Sequence, residues 1–188
     1  EVRRILGSAA IIVENHIVQF SCIKTRVFIP GGGSEPYGFE AHEFLRKLLI
    51  SEVVQVHVDG AVEGRLFATV YLKGKCINEL LCQEGLAIPT EPFCGVRSAC
   101  FERMVSASKS AQTATIGVFS KKPVEPLVID DYSLNTDKDI ATSKLSELKN
   151  KSIVGIVEDC LGGNRFAILV PSKRFMIRAA VNGLLPLS

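Results

Sequence analysis

The sequence lacks several features that would assign it to a broad class of protein at once. It has no apolar run long enough to span a membrane and no signal peptide, so nothing in it predicts a membrane protein. The net charge is only +2, and no overall excess of positive charge therefore indicates nucleic-acid binding. Because the first residue is Glu1 rather than methionine, we expect a fragment excised from a longer chain.

Metal-binding and disulfide patterns are also missing. Six cysteines are present without a CxxC pair or nearby histidines, which argues against a zinc site and against the disulfide framework of a secreted protein. Reduced thiols in an intracellular protein are the simpler interpretation. Cys22 and Cys82 are predicted to be core thiols, whereas Cys94 and Cys100 lie near a loop and could react. The histidines have no partner at ligand spacing and are predicted to lie on the surface: His16, His42 and His57.

Acidic residues are absent from the last part of the chain. Residues 161–188 contain no Asp or Glu, although the whole sequence has 20 of them. Four cations lie in the same stretch, namely Arg165, Lys173, Arg174 and Arg178. The nearly neutral total therefore hides a basic C-terminal end.

The clearest pattern that is present lies between residues 35 and 87. Apolar residues recur there first at helical spacing and then at the alternating spacing of half-buried strands. The predicted elements are a helix after Pro36, a strand over 54–58, a turn at Asp59 and Gly60, a strand over 65–72, a turn over 73–75 and a helix over 77–84.

The flanking segments predict more strands, one helix and a linker. Residues 2–29 read as strands with a hairpin turn at 14–16, and three consecutive glycines predict a mobile surface loop over 28–34. A helix over 98–116 should turn Ala99, Met104 and Ala111 inward. The polar residues 121–151 predict a linker with a short helix over 142–148. Further strands are predicted at 153–157, 166–170 and 175–181.

Several short motifs in the central stretch stand at the spacing of a known family: Gly64-Arg65, Tyr71, Gly74-Lys75, Asn78-Glu79 and Gly85-Leu86-Ala87. Together with the segment EPYGFEAHEFLRKLL, they make the chain resemble the repeated nuclease-like domains of the Tudor staphylococcal nuclease family. The resemblance implies an α+β, mainly β fold. It consists of a nuclease-like OB-fold barrel with three helices over 1–120, a linker with a short helix over 121–151, and a partial second OB-type sheet over 152–188, the first strands of the next repeat.

The resemblance also implies a catalytic site. In that family carboxylates hold one Ca²⁺, a glutamate activates water, and two arginines bind the phosphate of the cleaved phosphodiester. These positions fall on Ser8 and Lys24 for the metal carboxylates, Val27 for the glutamate, and Gln19 and Arg65 for the arginines. Because only Arg65 keeps its residue type, we expect a degenerate site without a confident catalytic residue or metal. Ca²⁺ is expected only if the chain is a nuclease after all.

Binding is the remaining role of such a site. The candidate nucleic-acid-binding residues are Arg65, Lys73, Lys75, Lys173, Arg174 and Arg178. Each has a plain alternative: Arg65 could be a structural partner of Glu63, Glu40 or Glu43, and lysines in turns often serve solubility. The two tyrosines that cover the nucleotide base in the family fall near Glu91 and Phe93, which weakens the case for base stacking.

Three functions follow as hypotheses. The leading one is an RNA-binding repeat, for single- or double-stranded RNA, that scaffolds RNA-processing, silencing or transcriptional co-activator complexes. Its partners would be neighbouring nuclease-like repeats, the Tudor module of the parent chain and further proteins, in the cytoplasm or also the nucleus. The competing hypotheses are a Ca²⁺-dependent endonuclease that hydrolyses RNA or DNA, and a protein-interaction module without nucleic-acid contact.

Overall fold

A computed structural model describes residues 1–122, 124–133 and 137–183. The chain divides into two compact units. Unit 1 contains Glu1–Phe28 and Ser34–Leu127, and unit 2 contains Ile29–Gly33 and the chain from Val128 onward. Within these described ranges, no helix combines the length and the apolar character needed to cross a bilayer.

Unit 1 consists of short strands and three packed helices over its described residues. Its strands are β1 Val2–Leu6, β2 Ala10–Val13, β3 His16–Phe20, β4 Ile23–Thr25, β5 Gln55–Val62, β6 Arg65–Leu72, β7 Lys75–Cys76 and β8 Ala87–Pro89. Its helices are α1 Gly38–Leu49, α2 Ile77–Gln83 and α3 Phe101–Thr113, followed by a 3₁₀ turn at Gly117–Phe119. The strand predicted over 65–72 is confirmed, and the helix predicted over 77–84 ends one residue earlier.

The main sheet has the strand order β1-β2-β3-β6-β5, with β7 attached to β6. All neighbours are antiparallel except β3 and β6, which are parallel. Strand β4 leaves this sheet and pairs with β8 instead. A twisted sheet of this kind surrounds one apolar interior, as in the partly open OB barrel that the resemblance implies.

The core of unit 1 is filled from the sheet and from the inner faces of the helices. Its largest fully buried side chains include Phe20, Leu45, Leu49, Ile77 and Leu81. In α1 the buried positions recur at helical spacing, because one stripe of an amphipathic helix must cover the sheet. One residue of that stripe corrects a prediction: His42 is buried rather than exposed, and its Nδ1 lies 2.7 Å from the Gly7 carbonyl oxygen.

The turn predicted at Asp59 and Gly60 lies elsewhere. Strand β5 continues through these residues with an irregular register between Val58 and Gly60, and the hairpin turns at Glu63 and Gly64, both with positive φ. Asp59 is buried, because its carboxylate accepts hydrogen bonds from the hydroxyls of Ser21 and Thr69. Buried partners therefore override the turn preference of the Asp-Gly pair.

Helix α3 is shorter than the predicted 98–116. It begins only at Phe101, because Ser98 is buried and its hydroxyl takes part in hydrogen bonds to Thr69 and to the Cys100 amide. At the other end Thr115 has φ 53, which stops the helix. Met104 and Ala111 face the interior as predicted, but Ala99 precedes the helix and is exposed.

Unit 2 contains four strands and one helix in its described part: β9 Asp130–Asp131, α4 Lys138–Leu148, β10 Ile156–Gly162, β11 Arg165–Val170 and β12 Phe175–Ala180. The sheet order is β10-β11-β12-β9, with β9 parallel to β12. Residues 121–151, predicted as a linker, therefore supply a strand and a helix longer than the predicted 142–148. Strand β9 carries no strand signal of its own, because its two acidic residues have low strand preference.

The β12–β9 side of the unit 2 sheet gains support from outside the predicted strands. Phe175 is buried, Tyr132 lies with its ring centroid 6.3 Å away, and the Lys144 ammonium of α4 stands 4.8 Å from the Phe175 ring centroid. The glycine loop also contributes, since the Gly31 amide donates to the Ile129 carbonyl at 2.8 Å. The predicted mobile loop is thus tied to unit 2 by a backbone hydrogen bond.

Candidate nucleic-acid interface

Ser8, which the resemblance assigns to the first metal-carboxylate position, holds two segments of the chain together. It lies in the turn between β1 and β2 and is buried. Its hydroxyl donates to the Arg26 carbonyl at 2.5 Å and lies 2.9 Å from the Thr25 hydroxyl. The single Ser8 proton is used by Arg26, so the Thr25 hydroxyl donates to Ser8. These bonds fix the end of β4 against the first turn.

Lys24 is the residue that the resemblance assigns to the second metal-carboxylate position. It is exposed on β4, directly opposite Ile88 of β8. No ion pair to its ammonium forms within the described part of the chain. A Ca²⁺ ion needs several oxygen ligands, mostly carboxylates, whereas this position presents a cation and Ser8 presents a hydroxyl already in use. The residues present do not fit the metal.

The nearest acid in this region is one that sequence spacing missed. Val27, at the family's glutamate position, is exposed, and its amide donates to Glu35 Oε2 at 2.8 Å. Glu35 also pairs with Arg26 at 3.6 Å. A carboxylate therefore lies beside Val27, in a long and exposed pair with Arg26. No sequence motif indicates that Glu35 lies beside Val27, because the glycine loop separates the two residues along the chain.

Gln19 and Arg65 share the outer face of the main sheet. In the parallel pairing of β3 and β6, Ile17 faces Arg65 and Gln19 faces Phe67, while the alternating Val18 is buried on the other face. Arg65 is exposed.

The alternative that Arg65 is a structural partner of Glu63, Glu40 or Glu43 is wrong. Its guanidinium forms no ion pair with any residue that the structure describes. Of its three proposed partners, Glu43 binds Arg46 and Lys47 instead, at 2.5 and 3.5 Å. Burial alone would raise the pKa of Glu43, but the hydrogen bond and charge of Arg46, together with Lys47, bring it below its usual range.

An aromatic pair lies on the same outer face. Phe93 is 78% exposed and stacks on Phe67 with ring centroids 5.5 Å apart and an interplanar angle of 27°. The loop that carries Phe93 lies directly on β5, where Gly60 and Gly95 leave room for the two backbones: a side chain at Gly95 would overlap the Asp59 carbonyl. Two aromatic rings therefore lie here in the structure, whereas the resemblance had predicted only the ring of Phe93.

The other predicted cations lie in turns or on strand ends. Lys73 forms an exposed pair with Glu52 at 3.2 Å, and Lys75 is exposed at the start of β7. In unit 2, Lys173 and Arg174 share the turn before β12, and Arg178 lies further along that strand, all three exposed. Arg65 begins β6 and Lys73 follows its last residue, so unit 1 holds Arg65 apart from Lys73 and Lys75, whereas the three cations of unit 2 lie on one short segment, residues 173–178.

The predictions for the cysteine side chains are partly confirmed. Cys22 and Cys82 are buried as predicted, but Cys100 is buried too, with its Sγ 2.9 Å from the Tyr71 hydroxyl and 2.9 Å from the Arg103 guanidinium. The hydrogen bond to Cys100, with burial, raises the pKa of Tyr71 to about 12. Burial raises the pKa of Cys76 and of Cys82 to about 12 as well. Cys160 is the exposed cysteine of the described residues.

Comparison with known proteins agrees with this geometry. The family described as "Staphylococcal nuclease homologue" matches residues 20–121. The chain is 31% identical over 179 residues to "Ribonuclease TUDOR 2" of Arabidopsis thaliana, covering 87% of this chain and 18% of that protein. It is 26% identical to "Staphylococcal nuclease domain-containing protein 1" of Drosophila melanogaster (79% and 17% covered) and 28% to the protein of that name from Schizosaccharomyces pombe (79% and 18%).

The chain thus spans less than a fifth of the length of these relatives. The matches confirm the predicted resemblance to Tudor staphylococcal nuclease proteins. They also confirm the α+β, mainly β fold class, together with the observed strands and helices.

Proposed function

Since the chain belongs to the staphylococcal nuclease homologue family, we propose that it is an RNA-binding, nuclease-like repeat without Ca²⁺-dependent catalysis of its own. The observation that carries the proposal is the outer face of the main sheet. There the exposed Arg65 lies on the same strand face as the stacked Phe67 and Phe93. A cation for phosphate beside rings for bases is the combination that binds single-stranded nucleic acid on OB folds.

The catalytic part of the family's chemistry has lost its support in this chain. Ca²⁺ would supply the charge that stabilises the phosphorane and lowers the pKa of water. Lys24 repels that cation, Ser8 is committed to Arg26, and Gln19 lacks the charge of an arginine. The loss of one such group commonly costs orders of magnitude in rate. Scaffolding of RNA-processing, silencing or co-activator complexes, in the cytoplasm or nucleus, is the setting that the resemblance suggests for the parent protein.

The test measures binding and cleavage of a labelled single-stranded RNA by the full chain, with Ca²⁺ and with EGTA. We expect binding in both conditions and no cleavage above background in either. Arg65→Ala and Phe93→Ala should each weaken binding by about tenfold, because a charge-assisted phosphate contact and a base stack each contribute about 1–3 kcal/mol. Lys109→Ala, at an exposed site on α3, is the matched control and should bind normally.

Two outcomes would overturn this function in different ways. Cleavage that both EGTA and Arg65→Ala abolish would establish the endonuclease hypothesis. Absence of RNA binding would favour the protein-interaction module. Binding to phosphates should also weaken steeply as salt rises, whereas an apolar contact would not respond in this way.

A further inference from the structure

A cleft of about 240 Å³ opens beside the paired strands β4 and β8. It is lined by Lys24, Thr25, Arg26, Ile88 and Val118. Lys24 and Ile88 are directly opposed in the pairing of β4 with β8, so their side chains share the face that forms one wall. The cleft therefore combines two cations with an apolar surface.

The apolar wall is fixed by close backbone packing. Val118 lies in the 3₁₀ turn Gly117–Phe119, and its amide donates to the Gly85 carbonyl at 2.8 Å. Neither Gly85 nor Gly117 could carry a side chain there, because a Cβ on either one would overlap the backbone of the facing segment. This contact holds the turn at the side of the cleft without help from long side chains.

The segment that carries Lys24 and Arg26 is held in place by the hydroxyls of Ser8 and Thr25. Thr25 donates to Ser8 and Ser8 donates to the Arg26 carbonyl, so the backbone on both sides of Thr25 is tied to the first turn. Lys24 is presented from this held segment. Ser8 thus supports the segment that presents Lys24.

The charge of the cleft is positive. Lys24 has no ion pair among the described residues, and the pair between Arg26 and Glu35 is long, at 3.6 Å, with both side chains more than 40% exposed. Exposed pairs of this kind contribute little, so Arg26 is available to a stronger anion. Glu35 keeps the Val27 amide as a partner if Arg26 turns away.

We propose that this cleft is an anion site in which Lys24 binds an RNA phosphate directly, with Arg26 as the second ligand. The proposal rests on the RNA-binding function above and adds its metal-free phosphate contact. Ile88 and Val118 would pack against the adjoining sugar. No bond is made or broken at this site.

The test compares RNA affinity of the full chain and its variants in EDTA, using one RNA prepared with a 5′-phosphate and with a 5′-hydroxyl. Lys24→Gln should weaken binding by about tenfold and flatten the dependence of log affinity on log salt by about 0.7, the value for one contact on a single strand. Lys24→Arg should retain affinity, because it keeps the charge and a donor. Lys109→Gln on α3 is the control for removal of an exposed lysine.

The two RNA forms identify the phosphate. Equal losses for both forms mean that Lys24 binds a backbone phosphate, and a loss confined to the phosphorylated form means that it binds the terminal one; either result supports the site. Unchanged affinity of Lys24→Gln on both forms overturns it and leaves the RNA-binding function standing.

Inorganic phosphate is the second probe, followed by amide chemical shifts. Saturable shifts at Thr25 and Arg26 that Lys24→Gln removes are expected. If the chain binds no RNA but shows these shifts, the anion site stands and the RNA-binding function fails. If neither RNA nor phosphate is bound, both are overturned.

Discussion

Asn78 shows that part of the family motif is needed for the fold itself. Its side chain is fully buried, donates to the carbonyls of Ser21 and Ala68 at 2.9 and 3.2 Å, and accepts from the Val70 amide at 3.0 Å. One amide thus satisfies three backbone groups where α2 meets β6. Leaving those groups unpaired would cost about 1–3 kcal/mol each, so the residue is needed for the fold whether or not the site works.

The buried thiols predict a loss of stability in alkali. The pKa of Cys82 is raised by burial from 9.0 to about 12 in the folded chain. The sign follows from linkage: the neutral thiol is favoured by folding, so its contribution is complete below pH 9 and is lost as the pH rises towards 12. Between these limits the unfolded chain releases a proton that the folded chain retains, and the free energy of unfolding should fall by about 1.4 kcal/mol per pH unit for each such thiol.

Urea unfolding between pH 8 and pH 11 measures this slope. Cys82→Ala should reduce the slope of the free energy of unfolding against pH by the amount that one proton contributes. This holds whatever the substitution does to stability at pH 8. Cys160→Ala, which removes an exposed thiol, should leave the slope unchanged. An identical slope in wild type and Cys82→Ala would show that this thiol does not couple to folding.

Single residues were predictable where a motif fixed them and not where a distant partner decided their surroundings. The positions of Ser8, Lys24 and Arg65 followed from the resemblance. The burial of His42 and Cys100 did not, because their partners Gly7 and Tyr71 lie far away in sequence. Whether Arg65, Lys73, Lys75, Lys173, Arg174 and Arg178 bind nucleic acid stays a prediction.

The contact between β5 and the loop of Phe93 gives a prediction at the scale of elements. Gly95 has φ +75 and no space for a Cβ beside Asp59. Gly95→Ala should therefore lower the free energy of unfolding by the cost of a left-handed residue, about 1–2 kcal/mol, and by a further 1–3 kcal/mol, roughly, for overpacking. RNA affinity should fall too, because the loop can no longer hold Phe93 on Phe67.

Gly74 provides the matched control. Its φ is +78, but nothing lies within 4 Å of the position that a Cβ would take. Gly74→Ala should lower the free energy of unfolding only by the cost of a left-handed residue, without the cost of overpacking. It should bind RNA normally. Equal unfolding midpoints for the two variants in urea would contradict the close contact.

Elements were predictable to the extent that their own residues decide them. Strand β6 has an apolar pattern and clear turns on both sides, and its bounds agree with the prediction. The β5 turn and the start of α3 were misplaced and strand β9 was missed, because Asp59, Ser98 and the β12 edge act through neighbours in space. Local preference carries no information about such neighbours.

At the scale of the whole chain, the basic residues are divided between the two units. The double variant Lys173→Glu and Arg174→Glu reverses the charge of the turn before β12. If both contact phosphates, RNA affinity should fall and the salt dependence should flatten by about 0.7 per lost contact. Fluorescence anisotropy across a salt series measures both quantities, with Lys109→Glu as the control. Unchanged affinity and slope would remove unit 2 from the interface.

The parallel pairing of β3 with β6 also sets how the chain can reach its native state. Ile17 and Arg65 are partners, yet all of α1 and β5 lie between them in sequence. Their pairing requires a large loop to close before any hydrogen bond repays the lost entropy. The hairpins β1–β2–β3 and β5–β6 are local and can form early, so the rate-limiting event should be their joining. Refolding should accordingly be slow for a chain of this size, and a destabilising change at the β3–β6 seam should slow folding more than one within either hairpin.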